Sequence, residues 1–258
     1  MLSVEISEHL FARRVKSGAL HFVQRSQKWH NDPMTATRTA RERARAELTQ
    51  EIKDEARRQL AEVGAHGLSL RAVARELGMV SSALYRYFPS RDRLLTELVI
   101  DAYDAVGEAA EKADPGNGDP RVRWSEVWHA TRAWAKAHPH EYALIYGSPI
   151  PGYEAPRDTV VPAARVAQAL VKVLLEADPH QPAVTAPMSA ELRTQAEELA
   201  VALGATTPPE IVTRLIGAWT QLFGAISFEL FGQYVGSVDP TDAYFEHLTG
   251  QMADFVGL

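Results

Sequence analysis

The stretch LSLRAVARELGMVSSALYRYFPSRDRLL, residues 68–95, decides how the chain folds. Behind Ser69, a residue suited to an N-cap, Leu70, Val73, Ala74 and Leu77 recur at three- and four-residue spacing. That spacing predicts a short helix over 69–77 with one buried face. Gly78 supplies the positive φ that a tight turn requires. A second helix is predicted over Val80–Phe88, and Pro89 forbids its continuation because proline lacks an N–H and clashes with the preceding turn. Ser90 then caps a further helix carrying Arg91, Leu94, Leu95, Leu98, Val99 and Ala102 toward about Ala113. Two short helices joined by a glycine turn form a helix-turn-helix. Leu70, Val73, Leu77 and Leu84 supply the apolar wedge between them.

Upstream, Arg41–Val63 is free of Pro and Gly, and Leu48, Ile52, Ala56, Leu60 and Val63 form one helical stripe that Gly64 and Gly67 stop. Residues 1–33 end in the turn signal Asn31-Asp32-Pro33 and are expected to be a poorly ordered extension added by an early start codon. The patch Ala19–Val23 is too short and too flanked by polar groups for a secretory signal. Downstream, Asp114–Pro120 is a linker, followed by helical stretches near 121–137, 141–147, 159–178, 189–204, 208–236 and 240–256 with proline-containing breaks between them. No stretch alternates with the period of a half-buried strand. The expected architecture is all-α: an extension over 1–33, a three-helix DNA-binding domain over 34–95, and a larger helical domain over 96–258.

A 258-residue chain that is 46% hydrophobic and 23% charged is too apolar for disorder. No run approaches 18 consecutive apolar residues, so no membrane partner is expected and the cytoplasm is the default compartment. The absence of cysteine excludes a disulfide framework, a thiolate metal site and a cysteine nucleophile. The net charge of −6 conceals a polarity, because residues 1–100 hold 17 Lys and Arg against 12 Asp and Glu, while residues 101–258 hold 10 against 21. A basic front on an acidic body suits a nucleic-acid reader joined to a domain that does not touch DNA.

The second helix of the motif places small hydroxyls, Ser81 and Ser82, at its front and Tyr85, Arg86 and Tyr87 behind them. Small residues let a helix approach the major groove closely, and hydroxyls, Arg and Tyr hydrogen-bond phosphates or base edges. Residues 68–95 resemble the DNA-binding signature of the tetracycline-repressor (TetR) family of bacterial transcription regulators. The resemblance rests on Ala-x-x-Leu-Gly at the turn, Ala-Leu-Tyr-x-Tyr-Phe in the second helix and Ser-Arg-Asp-x-Leu-Leu after it, and it covers roughly residues 45–95. It implies a homodimer that binds palindromic double-stranded operator DNA and releases it when a small-molecule effector enters the second domain, with no cofactor. It also places Ser81 and Ser82 near the groove, and Tyr85, Tyr87 and Arg91 at phosphate; Ser69 and Arg86 complete the expected DNA-binding set. Arg91 stands where the family often has lysine, and Val80 is apolar where polar base contacts often occur. The basic residues Arg38, Arg41, Arg43 and Arg45 lie where a flanking arm would meet DNA.

In the second domain Val212, Leu215, Trp219, Leu222 and Ile226 follow the spacing of a bundle seam. This segment resembles the C-terminal subclass of the family marked by Trp, His and Gly. Leu215, Leu222 and Ile226, with Tyr244, Leu248 and Met252 of the last helix, are the expected dimer surface. Trp128, Trp134, Tyr146, Trp219 and Phe223 are the expected pocket walls. His138 and His140 do not share a helix face, and HExxH spacing is absent, so no metal site is expected. No nucleophile elbow, phosphate loop or dinucleotide motif occurs, and an enzyme is not expected. The competing reading is an all-helical ligand carrier or enzyme with an incidental helix pair.

Overall fold

The computed structural model describes residues 40–177, 179, 187–202 and 207–258. The extension over 1–33 and Arg38 lie outside the described residues. Among the described residues every regular element is helical. Helix α1 (Ala40–Gly67) is broken at Gly64, whose φ is 68°. Its stripe of Ile52, Ala56 and Leu60 is buried, whereas Val63 is 56% exposed. Val63 leaves the stripe at the break, where the positive φ of Gly64 interrupts the helical repeat. Helices α2 (Leu70–Glu76), α3 (Ser81–Leu84) and α4 (Arg91–Ala113) follow. Ser90 caps α4 as expected, its hydroxyl accepting the Arg93 N–H at 3.1 Å.

These elements close a small core of Ile52, Ala56, Leu60, Leu68, Val73, Leu84, Phe88, Leu94 and Leu95. Helix α4 belongs to two cores. Leu94, Leu95 and Leu98 face the first, and Ala102, Val106 and Ala110 enter the second. A boundary at residue 95 therefore falls inside one unbroken rod.

The chain continues through α5 (Pro120–Ala137), α6 (Pro139–Tyr146), a 3₁₀ turn (Arg157–Thr159), α7 (Val160–Ala163), α8 (Arg165–Glu176), α9 (Ala190–Ala202), α10 (Pro209–Leu230) and α11 (Thr241–Val256). Helices α5, α6, α8, α10 and α11 build the second core with α4, while α9 packs Ala196 and Ala200 on Val212 of α10. Helices α5, α6 and α10 each begin with proline in the first turn, where a missing N–H costs nothing. Helix α10 stops at Leu230 rather than 236, and Gly232 and Gly236 take positive φ just beyond it. By length and apolarity α10 could cross a bilayer. In the structure its inner stripe, Ile211, Leu215, Ala218, Leu222 and Ile226, is packed into the domain core.

The expected linker contains an anchor. Asp114 accepts hydrogen bonds from Arg123 Nε at 2.6 Å and Nη2 at 3.0 Å, and from Lys172 Nζ at 3.0 Å. Arg123 also pairs with Glu176 at 2.7 Å, and the Arg123 and Asp114 side chains are 4% and 2% exposed. The Arg123 hydrogen bonds hold the Asp114 carboxyl well below the usual carboxylate range. A depressed folded-state pKa stabilises the protein above the unfolded value and loses that contribution as pH falls through the folded one. Asp114→Asn is expected to cost about 3 kcal/mol at pH 7, near the low end for breaking a buried pair because Glu176 still faces Arg123. Urea unfolding checks this, and the gap between the two proteins should narrow below about pH 4.

Candidate nucleic-acid interface

The interface is assembled from the turn outward. Gly78 has φ 64°, and its N–H donates to Arg75 O at 3.1 Å while that of Met79 donates to Ala74 O at 2.8 Å. A β-carbon on Gly78 would meet no neighbour, so glycine is required by backbone conformation and not by space. Only Ser81–Leu84 is α-helical in the predicted 80–88 helix. Tighter turns continue it, with Tyr87 N–H donating to Leu84 O at 2.8 Å and Phe88 N–H to the same oxygen at 3.0 Å. Leu84 and Phe88 are buried and pin one side of this rod. Val80, Ser82, Tyr85 and Arg86 lie exposed on the other, with Val80 at 70% and Tyr85 at 43%.

The remaining predicted contacts have different settings. Ser81 is half-buried at the start of α3. Ser69 occupies the N-cap of α2 in an extended conformation, yet its hydroxyl makes no capping bond. Tyr87 is half-buried against the small core, with the Arg45 guanidinium 5.4 Å from its ring centre. Arg91 turns inward: Nη2 donates to Ala65 O at 2.6 Å and Nε to Leu68 O at 3.1 Å. It thereby closes the end of α1 onto α4, while Nη1 lies 3.8 Å from Asp92. Arg41 is exposed in the first turn of α1. Arg71 and Arg75, not singled out from the sequence, are exposed on α2. Their spacing of four, on the side opposite Val73 and Ala74, carried the signal.

In the body, Tyr146, Trp219 and Phe223 come together. The Tyr146 and Phe223 rings stack at 4.0 Å, and Trp219 lies edge-on to Phe223 at 5.8 Å. Two other expected pocket walls are elsewhere. Trp128 is fully buried between Trp124 and Phe245, at 5.7 and 5.9 Å, and is a centre of the core. Trp134 stacks on His138 at 5.1 Å.

The expected dimer surface needs correction. Leu215, Leu222, Ile226 and Leu248 are buried within this one chain, so they have no surface to offer a partner. Tyr244 is 37% exposed and Met252 is half-buried. The exposed apolar side chains of the same two helices are Ile216 and Phe228 on α10, and Tyr244 and Phe255 on α11.

Both halves of the chain match known proteins. Residues 52–98 match the model for bacterial regulatory proteins of the tetR family, and residues 124–252 match that for the tetracyclin repressor-like C-terminal domain. The chain is 40% identical over 203 residues to the HTH-type transcriptional regulator Rv1816 of Mycobacterium tuberculosis, a match covering 74% of this chain and 84% of that protein. It is 36% identical over 109 residues to the HTH-type transcriptional repressor DrrR1 of Streptomyces coeruleorubidus, covering 42% of this chain and 39% of that one. The crystal structure of the regulatory protein SCO4313 is similar with a TM-score of 0.71 at 34% identity, covering 84% of this chain and all of the other. These relatives set aside the reading as an enzyme with an incidental helix pair. A glycine-set turn, an outward rod and matches across both domains lead to one conclusion: the chain belongs to the TetR family of DNA-binding transcriptional regulators.

Proposed function

We propose that the protein is a homodimeric repressor, acting in the cytoplasm, that grips a palindromic operator with α3 of each subunit and lets go when a small molecule enters the body. The observation that carries this reading is the outward face of α3, where Val80, Ser82, Tyr85 and Arg86 are exposed while Leu84 and Phe88 anchor the opposite side. Ser81 and Ser82 are small enough for close approach to the groove. Tyr85 and Arg86 reach phosphate or base edges, and Ser69, Tyr87 and Arg91 Nη1 border the same surface. Arg41 extends the contact along the backbone. A mobility shift against the region upstream of the protein's own gene tests this. A specific complex is expected, and failure to bind that duplex at low salt would contradict the reading.

The dimer surface proposed is the exposed stripe of Ile216, Thr220 and Phe228 on α10 with Tyr244 and Phe255 on α11. Large apolar groups exposed on two adjacent helices favour burial against a second copy. Ile216→Arg combined with Phe228→Arg is expected to give a particle of one-chain mass, 28.5 kDa, in sedimentation equilibrium. Operator affinity should fall by about a hundredfold, because two half-sites are no longer engaged by linked heads. A double variant that still sediments at twice the chain mass would reject this surface.

A further inference from the structure

Tyr146 of α6 and Phe223 of α10 form the tightest ring pair among the described residues, 4.0 Å apart with planes inclined by 24°. Two further rings stand edge-on to this stack: Tyr103 of α4 at 5.9 Å and 89° to Tyr146, and Trp219 at 5.8 Å and 78° to Phe223. With Tyr142, 5.2 Å from Tyr146, these rings form a closed aromatic cluster. Tyr103, Tyr146 and Trp219 are only half-buried, so the cluster is reached by solvent.

Its polar groups include donors, of which the Tyr103 hydroxyl already donates to Ile145 O at 3.4 Å. Trp219 Nε1 is buried without a hydrogen-bond partner, and the Tyr146 hydroxyl has no partner among the described residues. Burial pushes the Tyr103 and Tyr146 phenols up, so both keep their protons at neutral pH. The charged groups nearby are paired with each other. Arg132 and Lys136 bind Glu229, and Arg165 binds Asp104 and Glu111. A buried N–H without an acceptor is costly, and an entering acceptor would recover that cost.

We propose that the Tyr146–Phe223 stack opens to receive a neutral, planar, aromatic ligand whose hydrogen-bond acceptors meet Trp219 Nε1 and the Tyr146 hydroxyl. This deepens the effector reading above and rests on it. A third ring between the two faces requires Tyr146 and Phe223 to part, and Tyr146 is the last residue of α6. That helix also carries Glu141, 3.4 Å from Arg57 Nε on α1, and Leu144, which packs on the DNA-binding core. Beyond α6, Ile150 and Tyr153 touch the same core, and the Tyr153 hydroxyl lies 3.1 Å from that of Thr96 on α4. Ligand entry therefore presses on α1 and α4, which help to form the core that receives Leu84 of α3.

The test is isothermal titration of the full chain with flavone, which is neutral and planar with a carbonyl acceptor, and with 2-naphthoate, which is planar but anionic. Flavone is expected to bind with a Kd on the order of 10 µM, and naphthoate at least tenfold more weakly. Trp219→Phe and Tyr146→Phe, which keep the rings and remove one donor each, are expected to weaken flavone by about five- to tenfold. Phe223→Ala should weaken it further. Flavone binding that is unchanged in all three variants, naphthoate binding of equal strength, or no flavone binding up to its solubility limit would each overturn the proposal. Flavone that binds at this site while the operator complex persists would uphold the site and refute the effector reading. Release of the operator by another compound, with flavone unbound, would refute the site alone.

Discussion

Leu84→Ala is expected to abolish operator binding while leaving the helical body folded. Leu84 is fully buried, and it is the main anchor of a helix only one turn long, Ser81–Leu84. So short a helix has no stability of its own, and its geometry depends on packing. Removing a buried leucine costs about 2–5 kcal/mol, a large share of what a small core can supply. The loss is local because the body core of Trp124, Trp128, Tyr142 and Leu222 lies on other helices. Hydrogen exchange should show lost protection across 69–88 with protection retained in α5 and α10. Wild-type operator affinity in the variant would mean that α3 is not held by this contact.

The second large effect concerns the outward face itself. Tyr85→Ala with Arg86→Ala removes two exposed groups and should leave folding nearly unchanged, since neither residue belongs to the buried set. At about 1–3 kcal/mol for each contact, operator affinity should fall by about a hundredfold or more. Loss of one phosphate contact also lowers the slope of log affinity against log salt by about 0.9. Anisotropy titrations between 50 and 200 mM salt separate the two terms. A weaker complex with an unchanged slope would assign Arg86 to a base edge, whereas unchanged affinity would remove this face from the interface.

The DNA-binding half was legible in the sequence because its signals are local. Gly78, Pro89 and Ser90 each impose a backbone event within a residue or two of themselves, and Leu70, Val73 and Leu84 fill the wedge between neighbours. The body was legible only as a succession of helices. Periodicity told that Leu215, Leu222 and Ile226 share a face, but not whether that face meets a partner or the chain's own core. Trp128 looked like a pocket wall for the same reason, since a large flat ring suits either setting. Asp114 read as a linker residue because Arg123 lies across a turn and Lys172 on a distant helix. Arg91 looked outward because the carbonyls it closes, Ala65 and Leu68, become acceptors only after α1 has ended.

The chain has no cysteine, so a single one can be introduced as a unique attachment point. Val80→Cys, on the exposed flank of α3, carries a DNA-cleaving iron chelate without disturbing the buried face. Bound to the operator, this reagent should cut both strands at two major-groove positions related by two-fold symmetry and separated by whole helical turns. Cleavage scattered along the duplex, or none while the complex remains intact, would show that α3 does not lie in the groove.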